Sequence, residues 1–149
     1  MSQSKITALT KFKEHSLNAI NNYKTNKTYA MQELGRASHF LEDVNVPYHA
    51  ANMIAVLSTH SQYESYVEKH QNEYATNTST KYNNYDSESF TEYCSDILND
   101  CAKNAYSYKD TVKKGKKAWS PVANNTVKYA QEYLAAFYYR FLKEVGEIK

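Results

Sequence analysis

The scarcity of glycine and proline constrains the fold of this chain more than any other feature. Only 3 glycines and 2 prolines occur among the 149 residues. Because these residues punctuate turns and loops, their scarcity is typical of a helical domain with short connections. Apolar residues recur near the helical period, and no stretch alternates as a strand does. The sequence therefore predicts an all-α fold, a multi-helix bundle.

Helices are predicted where this apolar periodicity is bounded by capping residues or breakers. Thr28 is the expected N-cap of the second helix, and Pro47 breaks the chain after it. Gly115 and Pro121 should bracket the connection before the last helix, and the polar residues 75–89 should form a loop. We predict a single domain, residues 1–149, with helices at residues 5–24, 28–43, 48–57, about 59–74, 90–112 and 122–145.

The charge balance argues against a protein that binds nucleic acid through electrostatics. The net charge is only +2, whereas such proteins carry a basic stripe. One short cluster is basic, and we interpret it as a solvated loop or, alternatively, as a contact for a phosphate headgroup or another anion. Its lysines are Lys113, Lys114, Lys116 and Lys117.

The sequence contains no signal for membrane insertion or export. No apolar run approaches the ~18 residues of a membrane span, and the first residues lack the apolar core of a signal peptide. We therefore expect either a cytosolic protein or a chain that is not the whole precursor. Cys94 and Cys101 are seven residues apart, about 10 Å along one helix, so this spacing does not predict a disulfide.

Five potential metal ligands lie within 26 residues: His39, Asp43, His49, His60 and Glu64. The first two and the last two are each four residues apart, a spacing that places both side chains on one helix face. His49 follows the break at a proline, where a loop can aim a side chain into a site. Histidine and carboxylate ligands without cysteine favour zinc in a catalytic role. The pattern therefore predicts a polynuclear zinc site.

The segments around these ligands resemble the zinc-dependent phospholipase C family of bacilli and clostridia. Residues 34–52 read LGRASHFLEDVNVPYHAAN, and that family carries His-Tyr-Leu-Gly-Asp, a proline, and then His-Ala-Ala-Asn or His-Pro-Ala-Asn. Residues 60–67, HSQYESYV, are similar to its next ligand helix, and residues 135–142, AAFYYRFL, to the closing helix of its clostridial members. The resemblance extends from about residue 30 to about residue 145.

The resemblance implies an all-helical phospholipase C with up to three zinc ions. Such an enzyme uses zinc-activated water to cleave the glycerol–phosphate ester of phosphatidylcholine-like phospholipids at a membrane surface, and it is secreted. The resemblance assigns His39 and Asp43 to the first zinc, with Asp43 also reaching the third. It assigns His49, His60 and Glu64 to the second zinc, whose protein ligand set is then complete.

Part of the family pattern has no counterpart here. Family members begin with a tryptophan that binds zinc, and further ligands and the proposed base follow it. Met1 lies only 38 residues before His39, and no tryptophan precedes Trp119. We therefore expect the chain to be the C-terminal three-fifths of a catalytic domain, which needs an N-terminal complementing segment.

Two other functions remain open at this point. The S1/P1 type of single-strand nuclease shares the first ligand pair and the histidine that follows it, but has a longer gap from there to the next histidine and an aspartate four residues after that. The gap of 11 residues between His49 and His60, together with Glu64, favours the lipase. The other alternative is a non-catalytic zinc-binding fragment or membrane-surface module, since upstream ligands are missing.

Overall fold

The computed structural model describes residues 3–50, 60–74 and 79–149, and the side chains of these residues except 3–6, 60 and 61. All regular elements in this part of the chain are helical, which confirms the all-α prediction. No helix found there is both long and apolar enough to cross a bilayer. The elements are α1 (Gln3–Asn22), α2 (Lys27–Asp43), α3 (Pro47–Ala50), α4 (His60–His70), α5 (Phe90–Tyr106) and α6 (Lys116–Glu144), with 3-10 turns at Gln71–Tyr74 and Val112–Lys114.

The start of α2 differs from the prediction. Asn26, rather than Thr28, is the N-cap, and its side-chain oxygen accepts a hydrogen bond from the backbone N–H of Tyr29. Asparagine is at least as good a cap as threonine, so the helix begins at Lys27, one turn after α1 ends. The predicted third helix is described only at Pro47–Ala50, and the rest of it lies outside the described residues.

The junction of α5 and α6 also differs from the prediction. α5 ends at Tyr106 instead of near residue 112, and α6 begins at Lys116 with Pro121 inside it. A proline within a helix removes one backbone hydrogen bond. The first turns of α6 are nevertheless held, because Trp119 is buried and its indole N–H donates to the carbonyl of Val112 at 2.8 Å.

The main core lies between α1, α2, α5 and α6 and is rich in aromatic rings. Phe12 packs on Phe137 with ring centroids 5.1 Å apart, and Tyr23 meets Phe141 edge to face. Cys94 and Cys101 are buried here as free thiols, and burial raises the pKa of each to about 12. Both thiols therefore act as small apolar groups that fill space in the core.

A side chain of α6 holds the polar segment before α5 in place through hydrogen bonds. Residues 79–89 contain turns but no regular helix, as predicted for the described part of this loop. The guanidinium of Arg140, which is 8% exposed, donates to the carbonyls of Tyr85 and Glu88. The hydroxyls of Tyr85 and Tyr133 both donate to one carboxylate oxygen of Asp100. These bonds attach the loop to α5 and α6.

A buried carboxylate joins α1 to α2. Glu33 is 4% exposed. Burial opposes its ionisation, but four side-chain hydrogen bonds outweigh that cost and hold the pKa of Glu33 at about 2. The α1–α2 hairpin is therefore organised around a permanent negative charge. The donors are Tyr29, Asn18, His15 and Arg36.

We predict that Glu33→Gln lowers the free energy of unfolding by about 3 kcal/mol at pH 7, because a buried, bonded charge is lost. The pKa of Glu33 in the folded state lies below the ordinary glutamate pKa of 4.5. The stabilisation is therefore complete above that pH and is lost as the pH falls towards 2. Urea unfolding followed by circular dichroism should show a steeper acid loss for the wild-type chain than for the variant.

Glu14→Gln is the matched control for this experiment. Glu14 is an exposed carboxylate that lies 3.4 Å from the Lys11 ammonium, and such surface pairs contribute less than about 1 kcal/mol. Equal effects of the two substitutions would contradict the role assigned to the buried charge.

Candidate metal centre

The turn after α2 places His49 against the end of that helix. α2 ends at Asp43, the backbone N–H of Val46 bonds to the Asp43 carbonyl, and α3 starts at Pro47. Nδ1 of His49 lies 3.2 Å from the same carbonyl oxygen. Because a carbonyl oxygen can only accept, Nδ1 carries the proton in this contact. The bond fixes the ring orientation and leaves Nε2 to face outward.

The outward nitrogen of His49 meets a carboxylate from a different helix. Nε2 lies 3.1 Å from Oε1 of Glu64 on α4, and the two side chains are 31% and 45% exposed. With the proton on Nδ1, a lone pair of His49 would face a negative oxygen. A positive centre between them, either a second ring proton or a metal ion, makes the contact favourable. Two ligands of a tetrahedral zinc are about 3.3 Å apart, so the observed pair fits zinc.

A second histidine–carboxylate pair lies on α2 itself. Nε2 of His39 is 3.5 Å from Oδ2 of Asp43, one turn later, and the side chains are 71% and 42% exposed. Asp43 therefore takes part in both pairs, through its carboxylate beside His39 and its backbone carbonyl beside His49. Asp43 thereby connects the His39 pair with the His49–Glu64 pair at the C-terminal end of α2.

The fifth predicted ligand is placed only by its backbone. His60 is the first residue of α4, one turn before Glu64, and its side chain lies outside the described part of the structure. Among the side chains that are described, no three His, Cys, Asp or Glu residues form a group able to hold one metal ion. The structure thus gives two ligand pairs, and a completed zinc site remains a prediction.

An aromatic cluster holds α4 in position. Tyr63, next to Glu64, is 2% exposed and packs against Tyr48 and Trp119, each with ring centroids 5.6 Å away. Tyr48 adjoins His49, and its hydroxyl donates to the Val112 carbonyl at 3.3 Å. These tyrosines directly precede two candidate ligands, a position in the sequence that favoured packing in the core beside the site. Burial of the two rings fixes the backbone from which both ligands project.

A surface cleft of about 560 Å³ adjoins Glu64, between the end of α2, α4 and α6. Burial raises the pKa of Tyr63, which lines this cleft, to about 12, so its hydroxyl stays neutral. Glu42, at the position of the family glycine, also lines the cleft. The cleft thus offers an apolar wall beside a candidate ligand. The apolar residues that line it are Val46, Val67, Val127, Ala130 and Leu134.

Comparisons with known proteins show which proteins this chain is similar to. A family model described as zinc-dependent phospholipase C matches residues 2–108. A phospholipase C of Clostridium novyi is 36% identical over 137 residues, covering 83% of this chain and 34% of that protein. One of Paraclostridium bifermentans is 31% identical over 129 residues, covering 76% of this chain and 31% of that protein. This chain therefore spans about a third of the length of these relatives.

Solved structures agree with the sequence comparisons. The alpha toxin of Clostridium absonum superimposes with a TM-score of 0.82 at 30% identity, covering 93% of this chain and 41% of that one. The alpha toxin of a Clostridium perfringens avian strain gives 0.86 at 27% identity, covering 95% and 42%. With the family model matching well over half of its residues, the chain belongs to the zinc-dependent phospholipase C family.

Proposed function

We propose that this chain carries the zinc-binding helices of a phospholipase C that hydrolyses the glycerol–phosphate ester of phosphatidylcholine-like phospholipids. The observation that supports this most strongly is the approach of His49 Nε2 to the Glu64 carboxylate at 3.1 Å. It occurs in a chain whose family is zinc-dependent, and it unites side chains from two helices that are separate in sequence.

The ligand assignment follows the two pairs. His49, His60 and Glu64 would hold one zinc ion, with the ring of His49 oriented by the Asp43 carbonyl. His39 and Asp43 would contribute to a second ion, and the two carboxylate oxygens of Asp43 would let it bridge to a third. Imidazole and carboxylate donors without thiolate are typical of catalytic zinc sites.

In the proposed reaction, the zinc ions and the protein side chains have different roles. Bound zinc ions polarise a phosphoryl oxygen and lower the pKa of bound water towards 7. His49 and Glu64 would keep their donor atoms together, because the buried rings beside them fix the backbone at both positions. The cleft beside Glu64, whose lining combines apolar side chains with the carboxylates of Glu42 and Glu68, would lie next to the reacting ester. The base that activates the water is proposed to lie outside this chain.

An additional segment is proposed to complete the site. We infer that residues 1–149 form one helical domain that corresponds to the C-terminal three-fifths of a catalytic domain. An N-terminal complementing segment would then supply the remaining ligands and the headgroup contacts. The exposure of His39, at 71%, leaves room for such a segment beside the first pair. The intact protein is proposed to be secreted and to act on phospholipid at a membrane surface, as a toxin-like hydrolase.

Ligand substitutions should change zinc binding selectively. We predict that His49→Ala and Glu64→Gln each weaken the tightest zinc site by roughly a hundredfold or more, since one donor is lost and the remaining ones are not rearranged. Asp43→Asn should affect more than one ion because its carboxylate is shared. Zinc titration against a chromophoric chelator measures each affinity.

His70→Ala is the control for the zinc titration. Nδ1 of His70 also lies 3.0 Å from a carboxylate oxygen, Oε1 of Glu73. These two residues are three positions apart in sequence, whereas His49 and Glu64 come from two separate helices. Its removal should leave the tightest site unchanged. Weakening by His70→Ala as large as that by His49→Ala would show that the ligand assignment is wrong.

Turnover tests the reaction separately from metal binding. We predict chelator-sensitive hydrolysis of a chromogenic phosphocholine ester when this chain is combined with the N-terminal part of a clostridial relative, and loss of that hydrolysis in His49→Ala. Single-stranded DNA in the same assay should remain uncut. Cleavage of the DNA would favour the nuclease alternative, and zinc binding without turnover of either substrate would favour the non-catalytic one.

A further inference from the structure

Five lysines surround the place where α6 begins, and together we call them the lysine surface: Lys69, Lys113, Lys114, Lys116 and Lys117. Asp110 is the acidic residue paired with this surface, 3.8 Å from the Lys113 ammonium. Within the described part of the chain, the other four lysines have no carboxylate within ion-pair distance. The surface is therefore a local excess of positive charge on a chain whose net charge is only +2.

A groove of about 630 Å³ lies within the lysine surface, between α4 and α6. Lys69 and Lys116 line it together with the polar side chains of Gln62 and Ser65. These groups give ammonium, amide and hydroxyl donors around one concave space. Such donors suit the oxygens of a phosphate group.

The floor of the groove is fixed by aromatic contacts. Tyr66 lines the groove. The centroid of its ring lies 4.5 Å from that of His70, and the ring meets Trp119 edge to face. Its hydroxyl is 3.1 Å from that of Tyr74, which donates to Ser120. The groove is therefore held in shape without a ligand.

The groove and the candidate metal centre lie on opposite sides of α4. At 100° per residue, positions 62, 65 and 69 fall on the side of the helix away from positions 60, 64 and 67. The lysine surface therefore cannot contribute ligands to the His49–Glu64 pair. A role in binding something other than the zinc ions fits this placement.

We propose that the lysine surface docks the protein on membranes that contain anionic phospholipids, with a lipid phosphate held between Lys69 and Lys116. This proposal rests on the proposed function in one respect, namely that the partner is a lipid surface. Lysines near an anionic bilayer each strengthen attachment, and salt screens the effect. Clusters of about four to eight basic residues bind anionic lipid surfaces, and the relatives of this chain are phospholipases, so we take a membrane rather than nucleic acid as the partner.

Vesicle sedimentation tests the docking surface without turnover. The chain, with no zinc added, is mixed with phosphatidylcholine vesicles that contain either no phosphatidylglycerol or about 30% of it. We expect at least ~10-fold tighter binding to the anionic vesicles in low salt, and loss of that preference in high salt. The triple substitution of Lys114, Lys116 and Lys117 by Glu should abolish the preference. Acidic residues in the first turn of α6 suit the helix dipole, so the variant should keep its helical circular dichroism.

The matched control reverses the same number of charges elsewhere, at Lys24, Lys103 and Lys149, which are exposed and distant in sequence from the groove. This variant should keep most of the preference for anionic vesicles. The proposal would be overturned if both variants lost the preference for anionic vesicles equally, or if the wild-type chain showed no such preference. Tighter binding to single-stranded DNA than to the vesicles would also overturn it. A chain that binds zinc and substrate but shows no vesicle preference would leave the proposed reaction intact.

Discussion

The position of α4 depends on the burial of Tyr63 between Tyr48 and Trp119, and the candidate metal centre depends on α4. The helix has only 11 residues, a length that is marginal in water without tertiary contacts. Apart from Tyr63, the residues along it are at least partly exposed in the described part of the chain. The buried ring of Tyr63, supported by the partly buried Tyr66 and Val67, therefore anchors the helix and aligns the neighbouring Glu64 with His49.

The same aromatic cluster connects sequence regions that would otherwise be independent. The carbonyl of Val112 accepts hydrogen bonds from both Tyr48 and Trp119, so the start of the 3-10 turn, α3 and α6 meet at one atom. This contact also explains why α6 can begin five residues before Pro121. A locally weak helix start is compensated by a buried indole and its hydrogen bond.

Much of the fold could be predicted from periodicity, whereas the contacts at the site could not. α1, α2 and the part of α6 from residue 122 onward follow the apolar pattern. His39 and Asp43 meet because residues four apart share a helix face. The approach of His49 to Glu64 depends on tertiary packing across a gap in the sequence, which no local pattern contains; only the resemblance to the family assigned both residues to one zinc ion. Likewise, nothing in the sequence around Glu33 distinguishes it from a surface carboxylate, because its donors come from two helices.

The zinc assignment is tested most directly by diffraction at the zinc absorption edge from crystals of the chain grown with zinc. We expect an anomalous peak about 2 Å from both Nε2 of His49 and a carboxylate oxygen of Glu64, with the ring of His49 still bonded to the Asp43 carbonyl. A peak found only at other histidines, such as His70 beside Glu73, would contradict the central claim that these two helices form a zinc site.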